Sequence, residues 1–235
     1  MPTKTKTSLA KQIEALKEIS AAISSDRYID DVLKLIVTVT ANVMDSKVCS
    51  LWLIDEKEDC LKVRATQTMN KEYLKERSLK LGEGVVGYVA QQNEPAVILD
   101  VLEEPRYKEK ELAKKMGLRS MLSVPMRVKD KVIGVINIYK SPRHEFTKTE
   151  LDLLTTVANQ AAICIENTEL MVRSKVIQEE LESRKLVERA KGILMREYAL
   201  LEDEAFSRIR KKSMDSRRSM RDIAEAIILA HEMKK

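Results

Sequence analysis

Apolar positions recur at helical steps in the first forty-five residues and at strand-like steps afterwards. Leu9, Ile13, Leu16 and Ile19, then Val32, Leu35, Val39 and Val43, predict helices over residues 8–24 and 27–45. KVCSLWLID (47–55) and CLKVRAT (60–66) are short, rich in strand formers and separated by charged DEKED, a hairpin pattern. LKLGEGVVGYVAQQ (79–92) opens on a glycine-punctuated turn, and Val85, Val86 and Val89 suggest a short helix after Gly84. PAVILDV (95–101) reads as a strand. YKEKELAKKMG (107–117) reads as a short helix stopped by Gly117. RSMLSVPMRV (119–128) and KVIGVINIYK (131–140) predict a second hairpin around Lys129-Asp130.

From Thr147 the pattern is helical for a long way. Thr147 and Glu150 fit the two ends of a capping box. Leu151, Leu154, Ala158, Ala161, Ile165, Thr168 and Val172 alternate three and four apart, as in a heptad seam. The seam weakens near 175–180 and resumes with Ile177, Leu181, Val187, Ala190 and Leu194. A seam of this kind cannot bury itself alone, so a homodimer is expected. The break leaves a second reading open, two separate helices. After Tyr198, EDEAFSRIRKKSM (202–214) starts with three acids that suit a helix N-terminus. Ser219-Met220-Arg221-Asp222 then starts a last helix with Met220, Ile223, Ala224, Ile227 and Ile228 on one face. Three helices with short joints can pack as a small bundle.

Composition narrows the class. The 235 residues are 44% hydrophobic and 34% charged, with 6 Gly and 5 Pro, as expected of a folded chain rich in surface helix. No apolar run approaches the roughly 20 residues that span a bilayer, and the first residues form no secretory apolar core. Cys49, Cys60 and Cys164 are not in CxxC spacing and read as free thiols of a reducing compartment, so a cytoplasmic protein is expected. Two His in all argue against zinc. Net charge is +5, with 16 Lys/Arg against 12 Asp/Glu in residues 171–235. Within 208–221, seven basic residues face the single Asp215, which fits either a solvated helix face or a polyanion footprint.

Ala190-Lys191-Gly192-Ile193-Leu194-Met195, then Ala205-Phe206, a basic joint and SMRDIAEAI, resemble the ANTAR domain over about residues 180–232. The resemblance implies a three-helix module that binds paired RNA hairpins in leader transcripts and blocks a terminator. Gly192 inside a helix costs about 1 kcal/mol relative to Ala, so a close approach by another helix or an RNA backbone is expected there. Lys191, Gly192, Arg208, Lys211, Lys212, Arg217, Arg218 and Arg221 are the candidate RNA-binding residues. Ile209, Phe206 and Met220 read as core, and Tyr198 as packing. Ser213 and Leu201 depart from the family pattern, and Leu201 leaves the second helix without a polar cap.

Residues 25–170 resemble a GAF domain. The carriers are Leu81-Gly82-Glu83-Gly84-Val85-Val86-Gly87, Pro95–Asp100, Glu104-Pro105-Arg106-Tyr107, Gly117–Pro125 and Gly134-Val135-Ile136-Asn137. That resemblance implies a cavity between sheet and flanking helices for a small molecule. Trp52, Tyr88, Asp100, Tyr107, Arg119 and Ser120 are its candidate lining, with a core or salt-bridge role open for each. Gly82–Gly87 lacks the parallel-sheet context of a dinucleotide site. The cyclic-nucleotide subset of the family carries N-K…F-x-x-x-D-E. Here Asn137, Phe146 and Glu150 are followed by Leu151, which argues against that ligand. The sequence does not identify the ligand or a cofactor.

The expected fold is α+β: a helix over 1–24, a GAF-like antiparallel sheet with flanking helices over 25–170, a long coiled-coil helix over 165–200, and a three-helix bundle over 180–235. The expected function is a signal-responsive antitermination regulator rather than an enzyme, with RNA hairpins, a small ligand and a second copy of the chain as partners and no membrane. The competing reading is a thiol enzyme similar to free methionine sulfoxide reductases, in which Cys49 and Cys60 meet across the first hairpin. A helix-turn-helix on DNA is disfavoured, because the last helix carries its charges mainly at its start.

Overall fold

The computed structural model describes residues 3–23, 28–68 and 77–233 and divides into two compact units, Met1–Thr168 and Glu169–Lys235. Residues 1, 2 and 24 of the first expected helix, residue 27 of the second and residues 234–235 lie outside the described residues.

The first unit is built on one antiparallel sheet. Its strands are β1 (Val48–Asp55), β2 (Cys60–Thr66), β3 (Ser78–Lys80), β4 (Ala96–Ile98), β5 (Ser120–Val128) and β6 (Lys131–Lys140), in the order β3-β2-β1-β6-β5-β4. Both expected hairpins form, β1 with β2 and β5 with β6. The strand expected over 95–101 is only three residues long, and β3 is too short to show an alternation in sequence.

Side-chain alternation along the strands gives the sheet two apolar faces. Cys49, Leu51, Leu122, Val124, Ile136 and Ile138 face one core, closed by α1 (Thr3–Ile23), α2 (Ile29–Val43) and the start of α5 (Lys148–Tyr198). Val48, Trp52, Met121, Val135 and Tyr139 face a second core, closed by α3 (Gly84–Gln92), α4 (Lys110–Met116) and the loops around them. Gly117 ends α4 in the left-handed region, φ +63°, a conformation that favours glycine.

The heptad seam of the sequence has a different use here. Leu154, Ala158, Ala161 and Ile165 are buried against α2 and the sheet of their own unit, so they are not free to meet a partner helix. A core-facing helix and a coiled coil share the same three- and four-residue steps, and the sequence pattern could not separate them. The long helix does not break at 175–180; α5 runs through it.

The start of α5 is clamped to the sheet. Glu150 accepts from Thr147 N at 2.8 Å and from Lys140 Nζ at 3.0 Å, and Thr147 Oγ1 accepts from Glu150 N. His144 Nε2 lies 2.9 Å from Glu150 Oε1. Burial alone would raise the Glu150 pKa. The Thr147 N–H, His144 and Lys140 outweigh it and hold the carboxyl at about 2. A depressed carboxylate pKa stabilises the fold above the unfolded value and loses that contribution as pH falls through the folded one. The melting temperature of the first unit is therefore expected to fall between about pH 4.5 and pH 2. In Glu150→Gln that part of the decline should flatten, and an unchanged pH profile in thermal melts would contradict the clamp.

In the second unit, the end of α5 packs with α6 (Glu202–Ser216) and α7 (Met220–Glu232). Val187, Ala190, Ile193 and Leu194 meet Ala205 and Ile209 of α6 and Ile223, Ala224 and Ile228 of α7. Ser219 and Asp222 form a reciprocal cap on α7. On α6 only half of such a cap exists: Glu204 accepts from Leu201 N at 2.9 Å, but a leucine side chain offers no acceptor in return. Leu201 is exposed, so Leu201→Ser removes little packing. It is expected to stabilise the second unit by about 1 kcal/mol, measured by thermal or urea unfolding. An unchanged or lower midpoint would refute it.

Candidate nucleic-acid interface and sensor site

Ionic pairing sorts the basic residues of the second unit into two groups. Lys191 is nearly buried, and its ammonium is held by Glu188 Oε2 at 2.8 Å and Glu202 Oε1 at 2.7 Å. Those carboxylates, Glu188 first, raise its pKa. Arg189 pairs with Glu232. Arg221 pairs with Glu225, which raises its pKa, and Glu182 and Glu179 add to the effect. Arg210, Lys211, Lys212, Arg217 and Arg218 are exposed and make no ion pair among the described residues. Lys191 is tied at the start of α6, whereas Arg217 and Arg218 follow its end, roughly 20 Å away at 1.5 Å per residue. The structure therefore does not bring the eight RNA-binding candidates together.

Backbone hydrogen bonds fix the joint between α6 and α7. Arg217 caps α6 in the left-handed region, φ 53°, and the Arg218 N–H donates to Ser213 O at 3.2 Å. The Ser213 hydroxyl donates to Arg218 O at 2.6 Å. The residue that departs from the family pattern thus tightens the turn that presents the two free arginines. A side chain longer than Asn in this conformation is uncommon and costs energy.

Three further positions refine the sequence reading. A Cβ on Gly192 would meet nothing within 4 Å, so no other helix among the described residues requires glycine there. At 100° per residue it lies opposite the inward Ala190 and Leu194. Tyr198 is half exposed, with the Arg208 guanidinium 4.6 Å from its ring centroid. Phe206 is not core: it is 41% exposed, and the core of α6 is Ala205 and Ile209.

In the first unit the six sensor candidates separate. Trp52 and Tyr107 lie in the core behind α3 and α4. Tyr107 packs edge-on to Tyr139 at 6.3 Å. The Arg77 guanidinium sits 5.7 Å from the Trp52 ring and pairs with Glu109. Tyr88 carries Arg106 over its ring at 4.5 Å. Asp100 and Arg119 bind each other at 3.0 Å, and Arg143 binds the same carboxylate. Burial would raise the Asp100 pKa, but Leu102 N–H and the two arginines bring it below its ordinary value. Ser120 donates to Leu99 O and accepts from His144 N, both at 2.7 Å. Asp100, Arg119 and Ser120 thus have structural partners.

A row that the sequence reading did not single out lies across the middle of the sheet. Ser50 of β1, Asn137 of β6 and Ser123 of β5 are opposite one another and fully buried. They share the face of Val48, Trp52 and Met121. Ser123 Oγ donates to Asn137 Oδ1 at 2.6 Å, Trp52 Nε1 donates to Ser50 Oγ at 3.3 Å, and Asn137 Nδ2 has no protein partner. The alternation within each strand was readable from sequence; the register that aligns the three residues was not.

The thiol pair of the competing enzyme reading does not form. Cys60 pairs across the ladder with Asp55, whereas Cys49 sits at the other end of β1 opposite Ile138, about 20 Å along the strand. All three cysteines are buried. Burial pushes the Cys49 and Cys164 thiols up, away from the reactive thiolate. Among the described residues no cluster of His, Cys, Asp and Glu could hold a metal ion, and no helix is long and apolar enough to cross a membrane.

Known proteins divide the chain in the same order. The GAF domain family matches residues 29–165, and the ANTAR domain family matches residues 175–228. The phosphoenolpyruvate-dependent phosphotransferase system protein of Escherichia coli (strain K12) is 28% identical over 155 residues, covering 66% of this chain and 21% of that protein. The transcriptional regulatory protein PdtaR of Mycobacterium tuberculosis (strain ATCC 25618 / H37Rv) is 36% identical over 77 residues, covering 33% of this chain and 38% of PdtaR. The chain thus spans about a fifth of the first relative and under two fifths of the second. The solved GAF domain of a phosphoenolpyruvate-protein phosphotransferase from Coxiella burnetii superposes with a TM-score of 0.64 at 23% identity, over 70% of this chain and 98% of that one. With more than half of its length in that match, the chain belongs to the GAF domain family, and an ANTAR domain follows its GAF domain.

Proposed function

We propose that the chain is a signal-responsive transcription antitermination regulator. The observation that carries this is the set of unpaired cations, Lys211, Lys212, Arg217 and Arg218, with Arg210 beside them, on a unit matched by the ANTAR family. Exposed cations without carboxylate partners keep their full attraction for phosphate, and binding releases the counterions around the nucleic acid. Arg208, stacked on Tyr198, extends the same surface. Lys191 and Arg221, held by carboxylates, act by shaping the bundle rather than by touching RNA. The transcriptional role of PdtaR, which is similar over 77 residues of this chain, supports the reading.

Residues 25–170 are the sensor in this proposal, and 165–200 are the link to residues 180–235. The sensed molecule binds between Tyr107 and the sheet face that carries Trp52 and Asn137. It must favour one arrangement of the protein over another, since a ligand with equal affinity for both shifts nothing. The protein acts in the cytoplasm as a homodimer and not as an enzyme. Leu170, Ile177 and Leu181, seven and four residues apart and all about half exposed, replace the internal seam as the dimer contact. Two modules in one dimer meet paired hairpins at a raised effective concentration.

Titration of a two-hairpin leader RNA, and of an unstructured RNA of equal length, against the full chain at several salt concentrations tests the proposal. Tighter binding of the hairpin RNA with a steep salt dependence is expected. Equal affinity for both RNAs, or binding to neither, would reject it.

A further inference from the structure

Phe206, Arg210 and Met214 follow one another at four-residue steps along α6. Four residues turn a helix by about 400°, so the three side chains form one slanted stripe. The core-facing residues of α6 are Ala205 and Ile209, each one position earlier, so the stripe lies beside the buried face and not within it. All three members are exposed, Phe206 at 41% and Met214 at 63%. Arg210 makes no ion pair among the described residues. One step further is the joint, where Ser213 holds the Arg218 carbonyl and Arg217 caps the helix.

Phe206 leaves about two fifths of its surface in water and is not one of the residues that form the core of its own bundle. Its surroundings indicate the occupant. From 208 to 221 the chain carries seven basic residues against one acid, so the stripe lies in a field that attracts a polyanion. Unpaired bases of RNA loops stack on aromatic rings and guanidinium planes, while their phosphates meet cations. Phe206 supplies the ring, Arg210 a guanidinium one turn away, and Arg217 and Arg218 the charge at the end of the stripe. About 16 Å separate residues 206 and 217 along the helix axis, a few nucleotides of extended strand.

We propose that the Phe206–Arg210–Met214 stripe receives an unpaired loop base of the RNA, with Phe206 as the stacking platform. This rests on the RNA-binding reading above and gives the unit a means to tell a loop from a duplex.

Affinities of the full chain for a looped hairpin and for a fully paired duplex of equal length test this, using Phe206→Ala, Phe206→Leu, Phe206→Tyr and Arg217→Ala/Arg218→Ala. Stacking on an aromatic is lost on substitution by alanine at about 1–3 kcal/mol per base, so Phe206→Ala should weaken hairpin binding on the order of ten-fold. Duplex binding and the salt slope should stay unchanged. Tyrosine should restore affinity and leucine should not. A 2-aminopurine in the loop should change its fluorescence on binding to the parent and not to Phe206→Ala.

Parent-like hairpin affinity in Phe206→Ala, with loss in the double arginine variant, would overturn the stripe and leave RNA binding standing. Rescue by leucine would reduce the contact to apolar packing and overturn stacking. A changed oligomeric state of Phe206→Ala in sedimentation, with affinity following it, would assign the stripe to a second copy of the chain and overturn it likewise. Failure of the parent to bind either RNA would overturn both readings together.

Discussion

Arg217→Ala/Arg218→Ala is expected to weaken binding of hairpin RNA on the order of ten- to thirty-fold at physiological salt and to reduce the slope of log K against log salt by about two, one per lost phosphate contact. The two guanidinium groups are the natural choice because no carboxylate among the described residues forms an ion pair with either, although Arg218 lies within the field of Asp222. Both are exposed. Their backbone is held in place by the Ser213 hydroxyl and by the left-handed cap at Arg217. The bundle should tolerate the change. Alanine keeps a Cβ at the strained cap, and the core residues around Ile209 and Ile223 are untouched. Helical content and the unfolding midpoint should therefore stay near those of the parent. By contrast Lys191→Ala breaks the links to Glu188 and Glu202 and should act first on stability. Parent-like affinity and salt slope in the double variant would remove the joint from the interface.

The fold was largely legible because the chain changes its period where its architecture changes. The runs at 47–55, 60–66, 119–128 and 131–140 carry alternating apolar residues on strands long enough to show it, and all four form. Ser78–Lys80 is three residues long and pairs only through its neighbour Cys60–Thr66, so no local signal marks it. Leu154 to Ile165 carried the right period but an ambiguous destination, because burial under one's own sheet and burial against a partner helix select the same positions.

The sites were less legible because they depend on phase and register rather than on residue type. Phe206 reads as core in the sequence, yet Ala205 and Ile209 set the inward phase of α6, and Phe206 lies about 100° away from Ala205. Lys191 is basic in sequence, but its neutralising partners come from one turn earlier and from the next helix. Cys49 and Cys60 sit on adjoining strands, yet the ladder pairs Cys60 with Asp55, so adjacency of strands did not mean adjacency of thiols. Ser50, Asn137 and Ser123 come from three separate stretches of chain, and only the pairing of β1, β6 and β5 makes them one row.

The strongest expected effect on stability is at Gly134. It lies in the centre of the sheet, where β6 pairs with both β1 and β5, opposite Leu53 and Met126. A Cβ built there would come closer than 3.0 Å to the Trp52 carbonyl oxygen and to the Met126 side chain. Methionine can swing aside at small cost, but a carbonyl of a paired central strand cannot move without loosening the ladder on which Trp52 and Ser50 depend. Gly134→Ala is therefore expected to destabilise the first unit by about 3 kcal/mol, the upper end of ordinary overpacking. For a domain of this size that is a fall of roughly 10 °C in midpoint. The second unit has its own core of α5, α6 and α7, so its unfolding transition and its affinity for hairpin RNA should persist. Calorimetry of the full chain reads the two transitions separately. A Gly134→Ala protein whose first transition stays within a degree or two of the parent would show that the sheet can absorb the methyl group, and the close approach of β1 and β6 at Gly134 would not be what requires glycine there.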